Sequence, residues 1–305
     1  MPSEWAFVSV DMEITNVCNV QCRICPRDAI TRPGGMMSNE TFRVISEKLI
    51  REGSLITFSG MGDPLSHPKV FEWIQHIRES GGDVGIVVNP ASLNGNAPYA
   101  LVDARPNSIT LSFPSIRKIV FEKLCPQISF DQAIERAREL INLCAGNVGI
   151  RITGIRTEMN PDENESYLLL WKKLGVPSSM VACHGRGGNL KAPGIYKQRD
   201  YGQKTGCCGL IRYHTFITWE GDVLACCHDL SGETIVGNLI ESEICEIADR
   251  KRKLMRDGVS FKVCMQCDEP LRNVNPPVEG FPPANRNDRK TFFRRMRLKN
   301  STMAK

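Results

Sequence analysis

An α/β fold is what this 305-residue sequence predicts, and two observations carry the expectation. Between residues 7 and 183, short apolar runs alternate with amphipathic stretches of helical period, the pattern of repeated βα units on a parallel sheet. Beyond residue 206 the alternation gives way to a different composition, in which seven of the chain's 13 Cys residues are gathered. A parallel α/β unit followed by a small Cys-rich unit is the expected architecture.

The elements follow in order. Apolar runs predict strands at 7–14, 55–58, 84–88, 108–113, 148–154 and 179–182. Helical periodicity predicts helices over 39–51, with Ser38 as its cap, and over 69–80, 97–104, 130–143 and 163–174. Each connection is long enough for a right-handed crossover, so the six strands form an α/β barrel or a doubly wound sheet whose site lies at the carboxyl ends of the strands. From 185 to 204, Gly, Pro, Lys and Arg replace the apolar pattern. A hairpin over 213–218 and 222–225, turning at Trp219-Glu220-Gly221, then precedes a helix over 242–255. The expected domains are therefore 1–185, a linker or lid over 186–206, the Cys-rich unit 207–275, and a Pro-rich then basic tail over 276–305.

Composition excludes several classes. Hydrophobic residues at 41% and charged residues at 24% fit a globular chain and exclude disorder. The apolar runs are strand-length, far short of about 20 residues, so no membrane span is expected. No basic segment followed by an apolar one opens the chain, which makes the cytoplasm the expected location. The net charge of +5 resides in the tail: residues 286–305 hold eight Lys or Arg against Asp288, leaving the rest of the chain at −2. Thirteen thiols in a reducing compartment point to metal rather than to disulfides.

Cys18-x3-Cys22-x2-Cys25 follows the first strand. Soft thiolates select zinc or iron–sulfur clusters, and a closed site needs four ligands. Three thiolates on a four-iron cluster leave one iron open to a small ligand, as a catalytic centre requires; a zinc knuckle or a ferredoxin-type loop are the alternatives.

This spacing, on the loop after the first strand of a βα series, resembles the radical S-adenosylmethionine (SAM) superfamily. The resemblance covers most of residues 7–185 and implies a partial (βα)6 barrel. It implies that Cys18, Cys22 and Cys25 hold a [4Fe–4S] cluster, that SAM chelates the open iron, and that its cleavage yields a 5′-deoxyadenosyl radical that abstracts hydrogen. Ser59-Gly60-Met61-Gly62-Asp63-Pro64 is similar to the family's Gly-Gly-Glu-Pro segment, which meets the SAM amine, with Asp63 in place of Glu. Ser112 matches a ribose-binding position, and Ile152, in Ile150-x-Ile152-x-Gly154, one that packs on adenine. Read without the resemblance, these are a turn, a strand-end Ser and a core residue.

In the Cys-rich unit, Cys207-Cys208, Cys226-Cys227 and Cys264-x2-Cys267 supply enough thiolates to close a site. The arrangement resembles the SPASM/twitch extension of radical SAM enzymes, in which a hairpin with Gly-x4-Cys, here Gly221 and Cys226, carries one ligand. The resemblance implies an auxiliary [4Fe–4S] cluster on Cys208, Cys226, Cys264 and Cys267, with Cys207 as the alternative to Cys208 and Cys227 to Cys226. A zinc ribbon is the reading without it. No Cys follows Cys267, which suits the shorter twitch form with one auxiliary cluster, used for electron transfer. Among the remaining thiols, Cys144 reads as a buried hydrophobe, while Cys245 and, after it, Cys183 are candidate hydrogen-atom donors to a substrate radical. His67, His184, His214 and His228 form no ligand spacing and read as structural.

The resulting expectation is an oxidoreductase or isomerase that dehydrogenates or epimerises a polar small molecule of the amino sugar, aminocyclitol or nucleoside type, as in antibiotic biosynthesis. Its cofactors are SAM and two [4Fe–4S] clusters, with flavodoxin or ferredoxin as reductant. The alternative is a ribosomal-peptide maturase, an epimerase or cross-linking enzyme; a cluster 18 residues from the start leaves no room for an N-terminal leader-binding domain, which this reading would take in trans. An RNA-modifying enzyme is a third reading, supported by the Phe292-Phe293-Arg294-Arg295 tail and opposed by the second four-thiol group. A non-enzymatic zinc or nucleic-acid-binding module is the remaining one.

Overall fold

The computed structural model describes residues 7–199, 208–258 and 261–269, the Tyr213 side chain aside. Six parallel strands, β1 (Ser9–Met12), β2 (Leu55–Phe58), β3 (Asp83–Val88), β4 (Ser108–Ser112), β5 (Gly149–Arg156) and β6 (Ser178–Ala182), alternate with helices α1 (Asn39–Glu52), α2 (Val70–Glu79), α3 (Ala97–Asp103), α4 (Lys118–Leu124), α5 (Phe130–Cys144) and α6 (Asn164–Lys173). The C-terminal part adds α7 (Gly209–Tyr213), β7 (His214–Ile217), β8 (Asp222–Leu224), β9 (Ile235–Asn238), α8 (Ile244–Asp257) and α9 (Lys262–Met265). All nine strands belong to one sheet, ordered β6-β5-β4-β3-β2-β1-β7-β8-β9. The hairpin expected in a separate unit therefore continues the sheet: β7 pairs with β1 in parallel, Ser9 opposite His214, and β8 and β9 return antiparallel.

Local chemistry explains the helices. Ser38 caps α1 by accepting from Thr41 N at 3.0 Å, and Gly53 ends it in the left-handed conformation, φ 75°. Phe42, Ile45 and Leu49 lie buried on one face of it. Ser129 and Gln132 form a capping box on α5, which buries Ala133, Ala137, Leu140 and Cys144. The sequence pattern missed α4, which begins after Arg117 with no capping side chain, whereas α3, equally short, carries Pro98 in its first turn. Its Val120, Phe121 and Leu124 are nevertheless buried.

The strands have two unlike faces. On β4, Ile109 and Leu111 are fully buried while Ser108, Thr110 and Ser112 are half-open; on β5, Ile150, Ile152 and Gly154 are buried while Arg151, Thr153 and Ile155 are half-open. A Cβ built on Gly154 would fall 2.6 Å from the Tyr167 ring of α6, so the buried face is turned to the helices. The half-open polar face is the inner one, as in a barrel that is not closed. Residues 186–199, expected as a linker or lid, dock on this end: Ile195 packs with Val120 and Leu124 of α4, and Leu190 is buried. Cys207 and the basic tail lie outside the described residues.

Candidate functional site

The loops after β1 and β2 are built against each other. Glu13, one residue past β1, is buried; its Oε2 accepts from Met61 N at 3.0 Å, and Arg32 donates to it through both terminal nitrogens, at 2.8 and 3.2 Å. Such a pair is held by its hydrogen bonds, because neither charge can reach water. Gly60 and Gly62 make the close approach of these loops feasible. A Cβ on Gly60 would meet the Glu13 side chain at 2.7 Å, and one on Gly62 would lie 2.2 Å from the Thr15 carbonyl. Asp63 N donates to Val17 O at 3.0 Å, one residue before Cys18. The Asp63 carboxylate accepts from Leu65 N and from the Ser92 hydroxyl, and burial raises its pKa. Asp63 is thus the cap of a short turn as well as part of the glycine segment.

Cys18, Cys22 and Cys25 stand half-buried on the loop beside this turn. Val20 N donates to Cys18 Sγ at 3.3 Å, Arg27 to the Cys18 carbonyl, and Cys25 N to Cys22 O at 3.0 Å. Burial raises the Cys18 thiol and pushes Cys25 up to about 11; the Cys125 thiol, then burial, raise Cys22. Three thiols that would stay protonated alone become ligands when a bound cation deprotonates them. The donor set, soft and three in number, fits a cluster iron triad with one position left for a small ligand. The sequence reading left Cys125 unassigned and did not single out Asn89, Glu13 or Arg32. Their signal is spatial: Asn89 ends β3, and Cys125 caps α4.

Ser112 ends β4 on the half-open inner face, where a ribose contact would require it. Ile152 does not: it is fully buried on the helix-facing side of β5, between Ile150 and Gly154, so the expected adenine contact is corrected to core packing. Alternation along the strand puts Arg151 and Thr153 on the inner face instead. Glu163, fully buried, accepts from the Ser115 hydroxyl at 2.7 Å and Asn160 Nδ2 at 2.5 Å, tying the loops after β4 and β5 together. Beside them a cavity of about 480 Å³ opens at the ends of β5 and β6, lined among others by Arg156, Thr157, Cys183, Tyr196, Lys197 and Arg199. Cys183 is buried in its wall, and burial pushes its thiol up to about 11. Cys245 sits exposed near the start of α8.

The C-terminal thiols gather around the end of β8. The Cys226 and Cys227 side chains contact each other, Cys208 is close enough to act on Cys226 electrostatically, and His214 and His228 pack against Cys227. His228 also contacts Cys267, whose N–H donates to Cys264 O at 3.4 Å across one turn. Cys227, held in reserve by the sequence reading, therefore shares the site with the expected ligands. Lys251 is buried beside this group, donating to His214 O at 2.7 Å and Thr215 Oγ1 at 2.8 Å, and burial lowers its pKa to about 7. Thiols from three places along the chain, with the Lys251 amine beside them, fit a closed cluster site. His184 and His228 converge on Glu269 Oε2 at 3.1 and 3.3 Å. His184 Nδ1 accepts from Arg186 N at 3.4 Å, which leaves the proton on Nε2, so this trio is a hydrogen-bonded clasp. Among the described residues no helix is long and apolar enough to cross a membrane.

The family model "Radical SAM superfamily" matches residues 12–170, and the model "Iron-sulfur cluster-binding domain" matches 207–268. A probable GTP 3′,8-cyclase of Methanothermobacter thermautotrophicus is 32% identical over 267 residues, 84% of this chain and 72% of that protein. A tungsten-containing aldehyde ferredoxin oxidoreductase cofactor-modifying protein of Pyrococcus furiosus is 29% identical over 188 residues, 56% of this chain, which spans half the length of that relative. Among solved structures, BtrN in complex with AdoMet and 2-DOIA superposes with a TM-score of 0.58 at 17% identity, covering 87% of this chain and 94% of that one. Streptococcus suis SuiB bound to precursor peptide SuiA gives 0.63 at 14% identity, covering 86% and 70%. With its triad of thiols on the loop after β1 and a family match over more than half its length, this chain belongs to the radical SAM superfamily and carries a C-terminal iron–sulfur domain.

Proposed function

We propose that the protein is a radical SAM oxidoreductase or isomerase that dehydrogenates or epimerises a polar small molecule bearing an anionic group. The cavity at the ends of β5 and β6 carries this reading: Arg156, Lys197 and Arg199 line it against the single carboxylate of Glu158. Within the expected class of amino sugars, aminocyclitols and nucleosides, such a lining disfavours cationic aminated sugars and favours nucleoside-like molecules with a phosphate or carboxylate. Cys18, Cys22 and Cys25 would hold one [4Fe–4S] cluster; Cys208, Cys226, Cys264 and Cys267 would hold a second. When bound, the first cluster supplies the electron that cleaves SAM. The chain's own part is to seat SAM over the Gly60–Gly62 turn, to hold the substrate anion in the basic cavity, and to give the substrate's electron an exit through the C-terminal thiols. A flavodoxin or ferredoxin is the reductant this chemistry calls for.

The test is deoxyadenosine release by anaerobically reconstituted protein, with SAM and reductant, against nucleoside phosphates, neutral nucleosides, aminocyclitols and short peptides. Stimulation by anionic small molecules is expected. Arg156→Gln and Arg199→Gln should each raise KM about tenfold, the worth of one charge-assisted hydrogen bond. The neighbours include a peptide-bound enzyme, SuiB; stimulation by peptides alone would overturn the small-molecule reading in favour of peptide maturation.

A further inference from the structure

Cys125 lies outside both ligand sets, yet its Sγ stands 3.5 Å from Sγ of Cys22. Two independent features fix it there. Cys125 closes α4, donating its N–H to Phe121 O at 2.8 Å, and its side chain is almost wholly buried. The second feature is Asn89, the cap of the turn after β3. Its Oδ1 accepts from Ala91 N at 2.9 Å, which sets the amide orientation and turns Nδ2 toward both sulfurs, 3.7 Å from Cys22 and 4.0 Å from Cys125. The loop holding Cys22 is tied to the same helix end, since Arg23 N donates to Leu124 O at 2.9 Å. A second thiol and an amide N–H thus converge on one ligand sulfur, from residues 103 and 67 positions away in the chain.

We propose that Cys125, with Asn89, is a positioning pair that donates S–H and N–H hydrogen bonds to the Cys22 thiolate and thereby raises the reduction potential of the N-terminal cluster. A ligand sulfur gains negative charge when its cluster is reduced, so a donor to it stabilises the reduced state more than the oxidised one. With iron on Cys22, that sulfur is an acceptor only, and the thiol proton of Cys125 is the one available to share. The inference rests on reading Cys18, Cys22 and Cys25 as cluster ligands.

The experiment is a redox titration of the reconstituted full-length protein, followed by electron paramagnetic resonance; the N-terminal cluster is recognised as the signal that changes shape when SAM is added. Cys125→Ala is expected to lower the reduction equilibrium constant of that cluster about threefold to tenfold, a shift of about 30–60 mV to the negative at 59 mV per decade. Cys125→Ser, which keeps a donor, should recover most of it. Both should retain the iron and sulfide of the parent protein. An unmoved potential in Cys125→Ala, or equal shifts in the Ala and Ser variants, overturns the proposal. Loss of cluster iron in Cys125→Ser overturns it too, because Cys125 would then be a ligand. Absence of a SAM-sensitive signal in the unmodified protein would instead refute the ligand reading beneath it.

Discussion

The two thiol sites differ in how the chain reaches them. At the N-terminal site three thiols come from one eight-residue loop, and the neighbouring loops contribute glycine, an amide and a buried ion pair. At the C-terminal site Cys208, Cys226, Cys227 and the Cys264/Cys267 pair arrive from α7, the end of β8 and α9, with His214, His228 and Lys251 packed around them. A short loop leaves a coordination position open; ligands drawn from several elements close it. The first arrangement suits binding and cleaving a small molecule, and the second suits passing an electron. Both sit on one sheet, because β7 pairs directly with β1, which carries the first loop at its end.

The sharpest contrast is functional. Cys22→Ala should abolish deoxyadenosine formation to below about a thousandth, since an open cluster missing one ligand cannot hold SAM. Cys267→Ala should leave SAM cleavage measurable while substrate conversion falls. Equal losses in the two variants would erase the distinction between the sites.

The buried pair beneath the first loop comes next. Glu13→Gln leaves Arg32 charged and without its carboxylate, and should cost about 3–5 kcal/mol in thermal or denaturant unfolding. A cost below about 1 kcal/mol would mean that Arg32 reaches another acceptor. Gly62→Ala should act on the site more than on the fold. Its Cβ would press on the Thr15 carbonyl, so SAM affinity should drop about tenfold or more, a loss of about 1.4 kcal/mol or more. Gly146→Ala, where φ is 78° but space is open, should cost only about 1 kcal/mol of stability and leave SAM binding unchanged.

The smallest effect concerns the thiols outside both sites. Cys144 is fully buried and burial pushes its thiol up to about 12, so it should resist alkylation in the native protein at pH 8, while exposed Cys245 labels quickly. Mass spectrometry after brief iodoacetamide treatment reads both.

What could be read from the sequence divides along physical lines. All six parallel strands and the helices α1, α2, α3, α5, α6 and α8 follow from apolar periodicity, and the Cys18, Cys22 and Cys25 loop from spacing, because both are local signals. The helix α4, the strand β9 and the pairing of β7 with β1 were not legible: α4 has no capping side chain or Pro to mark its start, β9 is interrupted by Gly237, and the pairing is set by contacts across about 200 residues. The same limit explains Ile152, where a matching motif did not reveal which face of β5 it occupies, and Cys125, whose partner lies 103 residues away. Glu13 was hidden for a different reason, since an acidic residue at a strand end looks solvated until Arg32 and Met61 N are seen to enclose it.

One measurement bears most directly on the claim that the molecule holds an open and a closed cluster: iron, sulfide and zinc per chain after anaerobic reconstitution, in the parent protein and with Cys18, Cys22 and Cys25 replaced by Ala. The account predicts about eight irons and eight sulfides falling to about four of each, with the remaining cluster insensitive to SAM. About four irons falling to none, or zinc in place of iron at the C-terminal thiols, would contradict it.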